Sequence, residues 1–306
     1  MSEKLSPVVS ELTQTVLEAT SLGSGQVTDS PATVVIRPTR GWASLRLRDV
    51  WQYRELLFFL SWRDIKVRYK QTALGVAWVV LQPLITTLVF TVLFGGLLNV
   101  PSGDVPYPVF AFAALVPWNF FAGALIRSST SLVGSANLIT KVYFPRLIVP
   151  ASAVLSGLVD LAVSFVVLLV LMAWYRIALT PAILLLPLLI LLATATALAF
   201  GLWLSALNVQ YRDINYLVPF LVQIWMYLTP VIWGASLIPE QYRFLLALNP
   251  MSLVVDGFRW AIFGPTVPVF QGSPWLYGLS LGVMAATFAG GLAYFRATER
   301  TFADVI

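Results

Sequence analysis

The chain has 306 residues, of which 58% are hydrophobic and only 11% charged, and its mean hydropathy is +0.83. A soluble globule is nearer a quarter charged, so this composition excludes one and requires lipid as solvent. With no Cys and no His, disulfides, thiolate chemistry and the usual neutral-pH acid/base and metal ligand are all excluded. The net charge of +5 calls for no nucleic acid, because basic residues gather on the cytoplasmic side of membrane proteins.

Residues 1–33 are rich in Ser, Thr and Glu. They lack the basic start and apolar run of a signal peptide and read as a disordered cytoplasmic tail. Residues 34–75 form a cytoplasmic segment with an interface helix. Between Val50 and Lys70 the apolar residues fall into two stripes, with Phe58, Trp62, Ile65 and Tyr69 on one side and Leu56, Leu60 and Val67 on the other. Arg54, Arg63, Asp64, Arg68 and Lys70 stand between them, and Asp64 and Arg68 have i,i+4 spacing suited to pairing. A helix lying on a membrane needs one apolar face. Two stripes predict a helix sandwiched between the membrane and a cytoplasmic partner; the plainer alternative is a juxtamembrane anchor. Gly75 is expected to end this helix, and Pro83 to kink the next one.

Residues 76–306 hold the membrane domain. About 20 apolar residues cross a bilayer as a helix. Six segments meet that length: Val76–Leu98, Tyr107–Ile126, Leu147–Trp174, Pro181–Leu207, Tyr216–Trp233 and Trp275–Phe295. With the N-terminus inside, Arg176, Arg243 and Arg259 are the only ones of the 19 Lys and Arg that fall outside. This agrees with the positive-inside rule and puts both termini in the cytoplasm. The external connection Gly234–Pro274 is too apolar for a solvated loop and too interrupted for a span. It predicts two short re-entrant or interfacial helices, split at Asn249-Pro250.

Asp160 falls near the middle of the third span, where an ionised carboxylate costs about 2.5–3.5 kcal/mol. It has two readings, a polar lining of a conduit or a helix-packing hydrogen bond. Arg212-Asp213 sits in the cytoplasmic turn between spans four and five, at the inner mouth or as a simple turn. Asp256 and Arg259 are spaced to pair within an external helix. Trp118, Phe120, Phe121, Trp225 and Tyr227 offer flat rings that stack on sugars, or serve as interfacial anchors.

"RDIKVRYKQTALGVAWVVLQPL" (Arg63–Leu84), "TKVYFPRLIVPAS" (Thr140–Ser152), "NVQYRDINYLVP" (Asn208–Pro219), "YLTPVIW" (Tyr227–Trp233) and "LNPMSLVVDGFRWAIFG" (Leu248–Gly264) occur in this order. Together they resemble the ABC-2-type permeases that export lipid-linked polysaccharides such as O-antigen, capsule and teichoic acid. The resemblance covers about Val34 to Ile306. It implies an all-α fold of six transmembrane helices, an N-terminal amphipathic interface helix and two short external helices. It also implies a homodimer paired with two ATPase subunits that carry the ATP and Mg, so this chain is not itself an enzyme and holds no cofactor. The cytoplasmic loop after span two, Ser128–Tyr143 followed by Phe144, Pro145 and Arg146, is implied to carry a coupling helix, with Asn137, Lys141 and Tyr143 among the ATPase-facing residues. Trp118, Phe121, Asp160, Trp225 and Tyr227 are the candidate glycan lining.

The chain contains no G-x-x-x-x-G-K-[ST] loop to cradle a nucleotide. The expected function is therefore the permease subunit of an exporter for a polyprenyl-pyrophosphate-linked glycan in the bacterial inner membrane. Its partners are membrane lipids, a second copy and the ATPase, with no nucleic acid. Arg63, Arg68 and Lys70 are candidates to attract the pyrophosphate; attraction to anionic lipid would also explain them. The alternatives are another cargo (teichoic acid, capsule, a drug or a lipid) and a membrane-embedded transferase, for which the inventory of nucleophiles and acid/base groups is poor.

Overall fold

The computed structural model describes residues 51–70, 75–264 and 275–302. The chain divides into two units, Met1–Leu45 and Arg46–Ile306, and everything described lies in the second. The tail 1–33, the start of the 34–75 segment and the end of the external connection lie outside the described residues.

The described residues form helices joined by turns and irregular segments, without a strand. The interface helix α1 spans Arg54–Lys70, and α2 begins at Gly75 and runs to Phe90, with Pro83 inside it. A π-helical stretch, Thr91–Leu97, extends α2. Helix α3 is Tyr107–Gly134, α4 is Ala136–Lys141, α5 is Ile148–Leu155 and α6 is Gly157–Trp174. Then come α7 (Leu186–Gln210), α8 (Ile214–Leu228), α9 (Arg243–Ala247), α10 (Pro250–Phe263) and α11 (Trp275–Thr298).

Among the described residues, five helical segments are long and apolar enough to cross a membrane: Ala77–Leu97, Tyr107–Gly134, Ile148–Trp174, Pro181–Gln210 and Trp275–Thr301. The sixth expected span, Tyr216–Trp233, is a shorter apolar helix that stops at Leu228. Helix α3 is the axis of the bundle. It is buried along most of its length and packs most extensively on α7. Lipid is as apolar as a leucine side chain, so close packing rather than hydrophobicity joins membrane helices, and small residues permit it. Ala193, Ala197, Gly201, Ser205 and Ala206 serve this purpose on α7, all buried. At Gly201 a Cβ would lie 2.4 Å from the Ser128 hydroxyl on α3. Farther along α7, Trp203 lies flat against Gly290 and Gly291 of α11.

Past Leu228 the backbone leaves the helix, and Arg259 explains how it can. This side chain, on α10, is 1% exposed. It donates to the carbonyls of Pro230 (2.5 Å), Val231 (2.6 Å), Trp233 (3.1 Å) and Phe110 (3.3 Å). Its guanidinium stacks 3.6 Å from the centre of the Phe110 ring and lies 3.7 Å from Asp256. Irregular backbone is tolerated away from water only where its carbonyls find donors, and one guanidinium carries five N–H groups. The expected Asp256–Arg259 pairing is present, but the larger role of Arg259 is to close the segment after α8. Asn249 caps α10 by accepting from the Met251 N–H at 3.1 Å, and it also accepts from the Trp225 indole at 3.0 Å. The expected pair of short helices with a break beside Asn249-Pro250 is thus seen as α9 and α10.

Arg259→Ala should orphan four carbonyls and leave Asp256 buried without its cation, costing on the order of 3–5 kcal/mol. Thermal unfolding in detergent checks this; a variant within 1 kcal/mol of the parent contradicts the role given to Arg259.

Candidate functional site

Asp160 lies one turn into α6, just past the junction at Ser156 where α5 hands over to α6. Three groups from two other helices converge on it. Arg68, in the last turn of α1, reaches Asp160 Oδ2 at 2.5 Å, and the Tyr69 hydroxyl donates to Oδ1 at 2.5 Å. Arg127, on α3, approaches Oδ2 at 3.7 Å. Arg68 also donates to the Ser156 hydroxyl (3.3 Å), and Arg127 to the Ala153 carbonyl (3.5 Å). A carboxylate held by two guanidiniums and a phenol is a ligated, charge-assisted centre. It fastens the interface helix to the bundle.

Glycine makes room for it. A Cβ at Gly157 would lie 2.3 Å from the Arg127 guanidinium, and one at Gly123 would lie 2.7 Å from it. Both positions leave Arg127 space to turn back along its own helix toward Asp160. Burial and the hydrogen bond to Asp160 push the Tyr69 phenol from its ordinary value of 10.0 up to about 12.

Beside this centre a cavity of about 260 Å³ opens. Arg63, its ion-pair partner Asp64 and Arg127 line it, together with Thr130, Ser131, Ser152 and Ser156. Most of these hydroxyls already donate to carbonyls of their own helices: Thr130 to Arg127, Ser131 to Ser128, Ser152 to Val149 and Ser156 to Ala153.

The rest of α1 is divided between two surroundings. Leu60 is buried, and Tyr53, Leu56 and Leu57 pack beside it against Leu132, Ile139 and Phe295. Trp51, Phe58, Phe59, Trp62 and Val67 face outward. Arg54 and Lys66 sit over the Trp51 and Trp62 rings, each 5.7 Å from the centroid. Two stripes were expected, but their membership differs. Tyr69 turns to Asp160 rather than joining Phe58 and Trp62, and Val67 faces out. Asp64 accepts from its neighbour Arg63 at 2.9 Å. Lys70 is exposed.

The connection after the second span is shorter than expected, because α3 continues through Ser128 to Gly134 and the short helix α4 occupies much of what remains. Asn137, Lys141 and Tyr143 are exposed, as a docking surface requires. Phe144 is buried beside Ile139 and Leu60. Pro145 and Arg146 are half-buried, and Arg146 is engaged by Glu299. Arg146 is therefore no freely displayed charge. Arg212 and Asp213 are exposed in the α7–α8 turn. The turn is held by Asn208, whose amide donates to Asn215 Oδ1 and the Ser129 carbonyl, both at 2.8 Å.

Three of the expected lining residues pack within the protomer. Trp118 and Phe121 are buried, their rings tilted at 52° with centroids 5.5 Å apart; Phe121 and Phe200 meet the Trp225 ring edge-to-face at 5.0 and 4.8 Å. Within this chain these rings pack on each other, with Trp225 half-buried. Phe120 is buried too. Tyr227 points outward, half exposed. Asp160 ties helices together, the packing alternative raised for it from the sequence. Tyr69 and Arg127 were missed as site residues. The signal for them was the unpaired carboxylate itself, which had to find cations at its own depth.

The ABC-2 type transporter family model matches residues 55–263. The chain belongs to the ABC-2 type transporter family. Its match to the O-antigen export system permease protein RfbA of Myxococcus xanthus is 33% identical over 71% of this chain and 83% of that protein. The same-named protein of Klebsiella pneumoniae is 27% identical over 82% of this chain and 95% of its own length. The polysialic acid transport protein KpsM of Escherichia coli is 26% identical over 78% and 91%. The matched region of this ABC-2 membrane protein includes the Asp160 centre, α4, and α8 to α10.

Two outcomes follow. Asp160→Ala should leave Arg68 and Arg127 facing each other and cost on the order of 3 kcal/mol. Hydrogen exchange should then quicken selectively in the C-terminal turns of α1; unchanged protection there contradicts the tie. The Tyr69 phenol has its pKa raised in the fold, so its contribution is complete below about pH 10 and fades as pH rises toward about 12. The difference in phenolate absorbance between the parent and Tyr69→Phe should show a titration near pH 12, not near 10.

Proposed function

We propose that this chain is the permease subunit of an ABC exporter for a lipid-linked polysaccharide of the O-antigen type. It works as a homodimer in the inner membrane with two copies of a separate ATPase subunit. The observation that carries the reading is the match to proteins named as O-antigen export permeases over most of both chains. ATP and Mg belong to the partner, and both termini lie in the cytoplasm. Helix α8 completes a sixth crossing, and α9–α10 form the external re-entrant pair, a reading supported by their apolar content and by the Arg259 closure.

In this scheme α4 is the ATPase contact, presenting Asn137, Lys141 and Tyr143. The pyrophosphate of the carrier is assigned to the basic side of the cavity between Arg63 and Arg127, with Lys70 and Arg212 at the inner mouth. Nucleotide-driven movement of α4 reaches α1 through the buried cluster that holds both Ile139 and Leu60 and loosens the Asp160 tie, which opens a path for the polymer. Tyr227 is the aromatic with its ring available for sugar. An acidic capsule polymer is the second reading, favoured by the match to KpsM.

The purified chain alone is expected to hydrolyse no ATP. Lys141→Glu should keep normal membrane abundance and lose ATPase co-purification, with a cost of about 2 kcal/mol or more for reversing a contact charge. Glycan then accumulates inside the cell, and its chemistry decides between the two cargoes. Hydrolysis by the lone subunit, or full ATPase binding by Lys141→Glu, contradicts the assignment.

A further inference from the structure

The loop after α4 is tied to the far end of the chain. Glu299 opens a short 3-10 turn, Glu299–Thr301, at the end of α11. Its Oε1 accepts from the backbone N–H of Arg146 at 3.3 Å, and its Oε2 faces the Arg296 guanidinium at 3.4 Å. The Arg146 guanidinium in turn donates to the Glu299 carbonyl. The contact is thus reciprocal between main chain and side chain. Arg146 stands at the start of α5, where the Val149 N–H reaches back to its carbonyl. Its own N–H lies one residue before the N-cap Leu147 and finds its acceptor in Glu299, a carboxylate placed favourably near that helix end. Beneath the clamp, Phe144 after α4, Leu60 of α1, and Phe295 and Phe302 of the chain end share one buried cluster, with the last two rings 5.3 Å apart.

We infer that Glu299 is a positioning residue for energy coupling, which makes the loop behind α4 and the cytoplasmic end of the last membrane helix move as one body. The inference rests on α4 being the ATPase contact. A push on α4 then reaches α11 as well as α1, and α11 carries it along α7 through Trp203 and the Gly290-Gly291 pair. Without the carboxylate, the loop yields alone and the push is dissipated.

The test uses the full complex with its ATPase. Glu299→Ala should keep membrane abundance, ATPase co-purification and ATP hydrolysis, while glycan exported per ATP falls about tenfold, the scale of one charge-assisted hydrogen bond. Glu299→Gln keeps the acceptor for the Arg146 N–H but not the charge, and should fall between the two. Full export in Glu299→Ala overturns the inference, and so does a loss of ATPase binding that parallels the loss of export at normal abundance. If the alanine variant does not accumulate, the parent still answers. The chain has no native cysteine, so spin labels on Thr140→Cys and Thr301→Cys, in labelled subunits diluted with unlabelled ones, report the distance within one subunit. That distance should stay constant between nucleotide-free and ATP-bound complexes; a change overturns the one-body claim. Lys141→Glu separates the two levels: if it retains ATPase binding, the α4 assignment fails and not the clamp.

Discussion

A carboxylate placed within a membrane-spanning helix must find positive charge at its own depth, and the structure is organised around that demand. Asp160 draws Arg68 and Tyr69 from one side and Arg127 from the other. Desolvating these groups is unfavourable unless each is paired with good geometry. The arrangement therefore stabilises one position of α1 and penalises the intermediate positions. Gly123 and Gly157 serve the same end by leaving volume for a guanidinium. A helix held this way has a defined seat.

The two ends of the bundle answer the same physical problem differently. At the α1 end, ionic contacts bridge helices: α1 to α6, and the end of α11 to the start of α5. At the other, Arg259 is fully buried and spends its donors on main-chain carbonyls. That holds the irregular backbone just past α8, from Pro230 to Trp233, in one place.

Much of this was legible in the sequence. Apolar length placed five of the crossings, since hydrocarbon thickness is a one-dimensional constraint. The break at Asn249-Pro250 was readable because Pro starts helices. The sixth segment was read too long, because the donor that ends it lies far along the chain at Arg259. Aromatics were harder. Trp118 and Phe121 have the residue type of a sugar platform, but their burial is a property of tertiary packing, as is the edge-to-face contact at Trp225. Arg127 was read as a loop charge, since nothing local says that α3 continues past it or that its side chain turns back toward Asp160. Arg146 was read as a surface charge because Glu299 is remote in sequence.

The central claim is that Arg68 and Asp160 act as one unit holding α1 to the bundle. A double-mutant cycle with Arg68→Ala and Asp160→Ala, read by unfolding of the purified protein in nanodiscs, measures that directly. The account predicts strong non-additivity, with a coupling energy of about 2 kcal/mol, within the range for contacting charged partners. Additive effects, within about 0.5 kcal/mol, would contradict it.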